Sequence, residues 1–203
     1  MKNAMTIGVE DYFHVSAFAS SIAPTQWDSY ACRVEANTDK LLGMFSDGGI
    51  KATFFVLGWV AERYPALVRS IAAQGHEIAC HGYSHRLVYD QTPTVFHAET
   101  QHSKRVLEDL VQTPVLGYRA ASYSITSKSL WALDILVELG FVYDSSIFPV
   151  RHDRYGIPGG SRQPYRLRTP AGGELIEFPL TTVELGRYRL PVSALPEAIA
   201  AAR

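Results

Sequence analysis

The sequence predicts an α/β fold of parallel strands with helices packed outside them, and three observations predict it. Short apolar runs at residues 6–9, 52–56, 78–80, 115–118 and 141–143 read as buried strands. Segments with apolar residues at helical spacing separate each run from the next. The residues that carry chemistry, Glu10, Asp11, His81, His85, Arg119 and Asp144, all fall at the carboxyl ends of those runs, where folds of this class gather their functional groups.

Taken in order, the chain supports that alternation. After the strand at 6–9 come Glu10-Asp11-Tyr12-Phe13-His14, where a loop should begin. Residues 16–31 show no period, and their Pro24, Trp27 and Tyr30 mark a surface excursion positioned to cover the strand ends. Leu41, Leu42 and Phe45 place a helix over 34–45, stopped by Gly48-Gly49. Helix continues over 58–75 with a break at Pro65, its apolar face made by Leu67, Val68, Ile71 and Ala72. Thr92-Pro93 supplies an N-cap and a first-turn proline for a helix running to about Val111. A further helix over 127–139 is closed by Gly140. Two short strands, 165–169 and 174–178, follow around the turn Pro170-Ala171-Gly172-Gly173, and the alanine-rich stretch from Leu195 to Arg203 could start a helix.

Composition narrows the function classes. With 203 residues, 47% of them apolar, the chain can bury a full core, and the simplest organisation is one domain over 1–203. A net charge of −1 with scattered Lys and Arg gives no basic stripe for nucleic acid and no polybasic membrane anchor. No run approaches membrane-spanning length, and the N-terminus enters a strand-like run without an apolar leader. Two cysteines, Cys32 and Cys80, are too few for a disulfide framework; with free thiols the expected location is cytoplasmic. Cys80, beside His81, reads as a small buried hydrophobe rather than a ligand.

The chemistry concentrates in Cys80-His81-Gly82-Tyr83-Ser84-His85. Two histidines four apart at a strand end suit zinc, whose catalytic sites pair three protein ligands with a position left for water. The third ligand should be an acid at another strand end, and the pair Glu10-Asp11 offers two. Trp59 and Trp131 lie in helix patterns and read as core, whereas Tyr123, with Ser122 beside it, follows the Arg119 strand end and is the better candidate to meet a sugar ring. His14, His76, His97, His102 and His152 have no evident partner.

Four runs in this order resemble the polysaccharide deacetylases of the NodB-homology class, carbohydrate esterase family 4. They are Thr6-Ile7-Gly8-Val9-Glu10-Asp11-Tyr12-Phe13, His81-Gly82-Tyr83-Ser84-His85-Arg86-Leu87-Val88-Tyr89, Gly117-Tyr118-Arg119-Ala120-Ala121-Ser122-Tyr123 and Tyr143-Asp144-Ser145-Ser146-Ile147-Phe148-Pro149. They are most similar to the branch found in exopolysaccharide loci of the exosortase and PEP-CTERM system. The resemblance implies a distorted (β/α)7 barrel, a divalent metal that is commonly zinc, and removal of N-acetyl groups from amino sugars of a polysaccharide. By position it implies Asp11, His81 and His85 as metal ligands, Glu10 as general base, Arg119 as the arginine that orients the base, and Asp144 in the motif lining the groove.

The chain departs from that pattern twice. Where relatives read Asp-Val-Glu-Asp, it has Gly8-Val9-Glu10-Asp11, and a glycine cannot act as a base. If the family's base is the first acid of that run, Glu10 becomes the metal ligand and Asp11 takes a supporting role. Relatives also continue to a histidine that protonates the leaving amine, and here none follows His152, as if the last strand and helix units were missing. Two other readings keep the fold: hydrolysis of a small cyclic amide, and a non-catalytic domain binding metal or glycan.

Overall fold

The computed structural model describes residues 4–186 and 188–192; the helix expected over 195–203 lies outside them. Five parallel strands in chain order, β1 (Thr6–Val9), β2 (Thr53–Val56), β3 (Glu77–Cys80), β4 (Gly117–Tyr118) and β5 (Tyr143–Asp144), form the body of a seven-stranded sheet. β6 (Tyr165–Arg168) and β7 (Glu174–Glu177) complete it in the order β1-β2-β3-β4-β5-β7-β6, with β7 parallel to β5 and β6 antiparallel to β7. The predicted α/β class and strand sequence hold. β4 and β5 are shorter than their apolar runs, and Val115 and Phe141 are buried just ahead of them.

Helices follow the predicted places for stated reasons. α1 (Val34–Asp47) buries Val34, Thr38, Leu42 and Phe45, a stripe at helical spacing. Pro65 lacks an N–H and divides the next segment into α2 (Gly58–Arg63) and α3 (Pro65–Ala73). α4 (Pro93–Val111) starts where Thr92 Oγ1 accepts the Val95 N–H at 3.3 Å and ends at Gln112 in the left-handed region. Its buried face is Phe96, Thr100, Ser103 and Leu107. α5 (Trp131–Glu138) begins later than predicted, since Ser129 Oγ accepts the Thr126 N–H and holds that stretch as a turn.

Phe54, Val56, Ile71, Leu107, Leu133 and Leu136 are at or near zero exposure, each contributing roughly 1.5–3 kcal/mol of burial free energy. Cys80 is buried among them and is a core residue, as expected. The excursion after β1 is better anchored than a cover loop. Trp27 is buried against Phe13, His14 and Trp59, with ring centroids 4.5–6.0 Å apart. A hairpin of β8 (Thr182–Leu185) and β9 (Tyr188–Pro191) forms a second small sheet that the sequence pattern did not reveal. Among the described residues no helix is long and apolar enough to cross a membrane.

Candidate metal centre and active site

β1 and β3 end side by side with β2 between them, so the residues leaving them converge. Side chains alternate along a strand, which puts Thr6, Gly8 and Glu10 on one face. Glu10, His81 and His85 form a cluster whose ligand atoms all lie within 4.8 Å of one another. Glu10 Oε1 is 4.0 Å from His81 Nε2, and Oε2 is 2.8 Å from His85 Nε2. That short contact is not aligned as a hydrogen bond, so Glu10 Oε2 is buried without a donor. A cation held by one carboxylate oxygen and two imidazole nitrogens would satisfy it, and the donor set is one that zinc takes.

His81 is prepared for that role. Its Nδ1 lies 2.7 Å from the Arg119 carbonyl, which can only accept, so Nδ1 carries the proton and Nε2 keeps its lone pair. Burial holds its pKa down at about 4, leaving the ring neutral at pH 7 as a ligand must be. Burial pushes the Glu10 carboxyl up, but the imidazoles of His85 and His81 outweigh it and hold the group at about 2. His85 is carried on a left-handed backbone (φ 55°), three residues after Gly82 at φ 75°.

Asp11 is placed elsewhere, which corrects the ligand assignment implied by the motif. Its carboxylate accepts from the Tyr12 N–H at 2.8 Å, from the Cys32 thiol at 3.1 Å and from the Arg33 N–H. Its own N–H donates to His14 Nδ1 at 2.8 Å, closing the turn after β1. One position beyond Glu10, its side chain faces away from the histidines and ties the 12–33 excursion to β1. Glu10, the expected base, takes its place in the cluster.

Arg119 and Asp144 also differ from expectation. Arg119 is buried and bonds Ser145 through its carbonyl at 3.1 Å and hydroxyl at 2.8 Å, and Thr6 Oγ1 at 3.0 Å. Its guanidinium lies 4.0 Å over the Phe55 ring, and it makes no ion pair with Glu10. Asp144 has no exposure and does not line the groove. Ser146 donates to it from Oγ at 2.6 Å and from its N–H at 3.2 Å. Its neighbour is Glu177, its register partner on β7, also fully buried and accepting from the Ile147 N–H at 3.0 Å. Burial raises both carboxyls, Asp144 to about 6 and Glu177 well above its ordinary value with Asp144 adding to the rise. Both acids lie behind the 144–147 segment that grips Arg119, bonded to it through Ser146 and the Ile147 N–H. Sequence reasoning missed Glu177; the signal was an acid at the inward position of a short strand running alongside β5.

The cluster opens to a cavity of about 250 Å³ lined by Gly8, Glu10, Val15, His81, His85, Arg119, Ser122 and Tyr123. Ser122 and Tyr123 are thus brought to the site as expected, and both have positive φ, 47° and 55°. With His85 they make three strained non-glycine residues on one wall, a concentration found at functional sites. Tyr123 packs edge-on against Phe148 and Tyr155, and Tyr155 stacks on His152 at 3.8 Å, giving that histidine a partner.

A family model described as polysaccharide deacetylase matches residues 21–143, more than half of the chain, and one described as a domain of unknown function (DUF3473) matches 145–194. A chitooligosaccharide deacetylase of Bradyrhizobium sp. (strain ANU 289) is 28% identical over 99 residues, covering 49% of this chain and 43% of that protein. A Mycobacterium smegmatis structure described as a polysaccharide deacetylase superposes with a TM-score of 0.69 at 28% identity, covering 88% of this chain and 58% of that one. Puue allantoinase superposes with a TM-score of 0.62 at 18% identity, covering 88% and 61%, a likeness of fold alone. The chain spans less than two thirds of the length of each of these proteins.

Proposed function

We propose that this chain, which belongs to the polysaccharide deacetylase family, is a metal-dependent hydrolase that removes N-acetyl groups from amino sugars of a polysaccharide. The observation that carries the proposal is the Glu10, His81 and His85 cluster facing a cavity at the strand ends. Those three residues would hold a divalent metal, most simply zinc, which when bound polarises the amide carbonyl and makes its water acidic. His81 is held by the Arg119 carbonyl in the tautomer that keeps Nε2 available. Tyr123 offers an aromatic face, and Ser122 a hydroxyl, to the sugar that carries the acetyl group. Arg119 places a fixed positive charge at the same cavity, where a developing oxyanion gains from it.

The motif resemblance supports a role in exopolysaccharide biosynthesis, with a cytoplasmic polymer or precursor as substrate. Zinc-loaded chain incubated with an N-acetylglucosamine oligomer is the test. Acetate release that disappears in His81→Ala is the expected result; metal bound in full with no acetate from any N-acetylated oligomer would refute the reading.

A further inference from the structure

Hydrolysis of an amide needs a group to take a proton from water and return it to the leaving nitrogen. The described residues supply no carboxylate free to do so at the cavity. Glu10 belongs to the metal cluster, Asp11 is bonded to Tyr12, Cys32 and Arg33, and Asp144 is bonded to Ser146 beneath the floor. Yet the same cavity carries a charge that asks for one. Arg119 is more than nine-tenths buried, and its bonds go to the neutral oxygens of Ser145 and Thr6. A guanidinium has five N–H donors, so two remain beyond those three bonds, and its nearest acids, Asp144 and Glu177, lie beneath the floor and make no hydrogen bond to it among the described residues.

Gly8 stands between the two halves of the site. On the shared face of β1, Thr6 on one side meets Arg119 and Glu10 on the other joins the metal cluster. Across the register Gly8 faces Phe55, whose ring lies under the Arg119 guanidinium. Gly8 is exposed, and a Cβ built there would come 3.2 Å from Glu10 Oε1 and 4.0 Å from His81 Nε2. A side chain at this position would therefore stand between the arginine and the metal cluster, and none is present.

We infer that the space over Gly8 is a site for a small free carboxylate, paired with Arg119, that performs the proton transfers for which the described residues provide no free carboxylate at the cavity. The inference rests on the deacetylase reading for its chemistry. The carboxylate oxygen takes a proton from water as the water oxygen bonds to the amide carbon. The resulting carboxylic acid returns that proton to the nitrogen as the carbon–nitrogen bond breaks, and the carboxylate is regenerated. Because the reaction releases acetate, the product itself can fill the site, and progress curves should bend upward.

The probe is sodium formate against equal sodium chloride. A positioned base is worth about 100- to 10,000-fold, so saturating formate should raise the zinc-loaded wild-type rate by about tenfold or more. Gly8→Asp should reach a comparable rate without formate and gain nothing from it, while Gly8→Ala, with a Cβ and no carboxylate, stays slow. Metal content measured on each variant shows whether the cluster survives. An active Gly8→Asp beside a wild type indifferent to formate would overturn the inference and leave the deacetylase reading intact. If no variant turns over, melting of the metal-free proteins decides. Formate raising the wild-type midpoint above the chloride control, but not that of Gly8→Asp, supports the site. No difference between them overturns it, and the absent turnover then counts against the deacetylase reading alone.

Discussion

Exchanging the roles of Glu10 and Asp11 has a consequence that two substitutions separate. In Asp11→Ala the N–H groups of Tyr12 and Arg33 and the Cys32 thiol lose a charged acceptor that is itself buried. Hydrogen bonds to charged groups contribute about 1.5–3 kcal/mol each. Two backbone bonds, with water recovering part of the loss, make the substitution cost about 3–5 kcal/mol. For a domain of this size that lowers the melting midpoint by about 10 °C. Metal affinity should change little, because Asp11 does not touch the histidines. Glu10→Gln breaks none of those anchors but removes a ligand charge, and should weaken zinc by more than about 100-fold, beyond what loss of a supporting contact costs. Zinc titration with a competing chelator and thermal melting of the metal-free proteins read the two effects separately. Zinc lost in Asp11→Ala and kept in Glu10→Gln would refute the assignment.

Other substitutions probe the surroundings. The Asp144 and Glu177 carboxyls are raised in the fold, so their contribution to stability is full below the unfolded carboxyl range and is lost as pH rises, for Asp144 through about 6 and for Glu177 through its own raised value. Glu177→Gln removes one of the two acids, and chemical unfolding between pH 4 and about 8 should show a flatter decline than wild type; parallel curves would deny that the two carboxyls raise each other. Trp27→Ala empties a site packed by Phe13, His14 and Trp59, and urea unfolding should report a loss of about 3–5 kcal/mol. Tyr123→Asn, which tolerates the positive φ, should raise KM for an N-acetylated oligomer by about three- to tenfold with zinc content unchanged. An unchanged KM would remove Tyr123 from the substrate wall.

The strand order was legible because each buried strand is a short apolar run with a helix after it, and Thr92-Pro93 and Pro65 set helix boundaries by chemistry that does not depend on the rest of the fold. His81 and His85 were legible as a pair for the same reason. The choice between Glu10 and Asp11 was not settled by residue type, since either acid can bind a metal. In the structure residue 10, just past the end of β1, lies with His81 and His85, whereas residue 11 turns back to cap the next turn. Glu177 escaped, and Asp144 was expected at the groove, because acids in a strand ordinarily face water, and only the pairing of β5 with β7 reveals that both face inward. The β8 and β9 hairpin lies outside the strand and helix alternation and carried no helix between its strands to announce it.

Metal content and acetate release measured together on the zinc-loaded chain and on His81→Ala test the central claim most directly. The account predicts about one zinc per chain in the wild type, little in His81→Ala, and acetate release from an N-acetylglucosamine oligomer that follows the metal. A chain that binds no zinc, or whose acetate release is the same in His81→Ala, would contradict it.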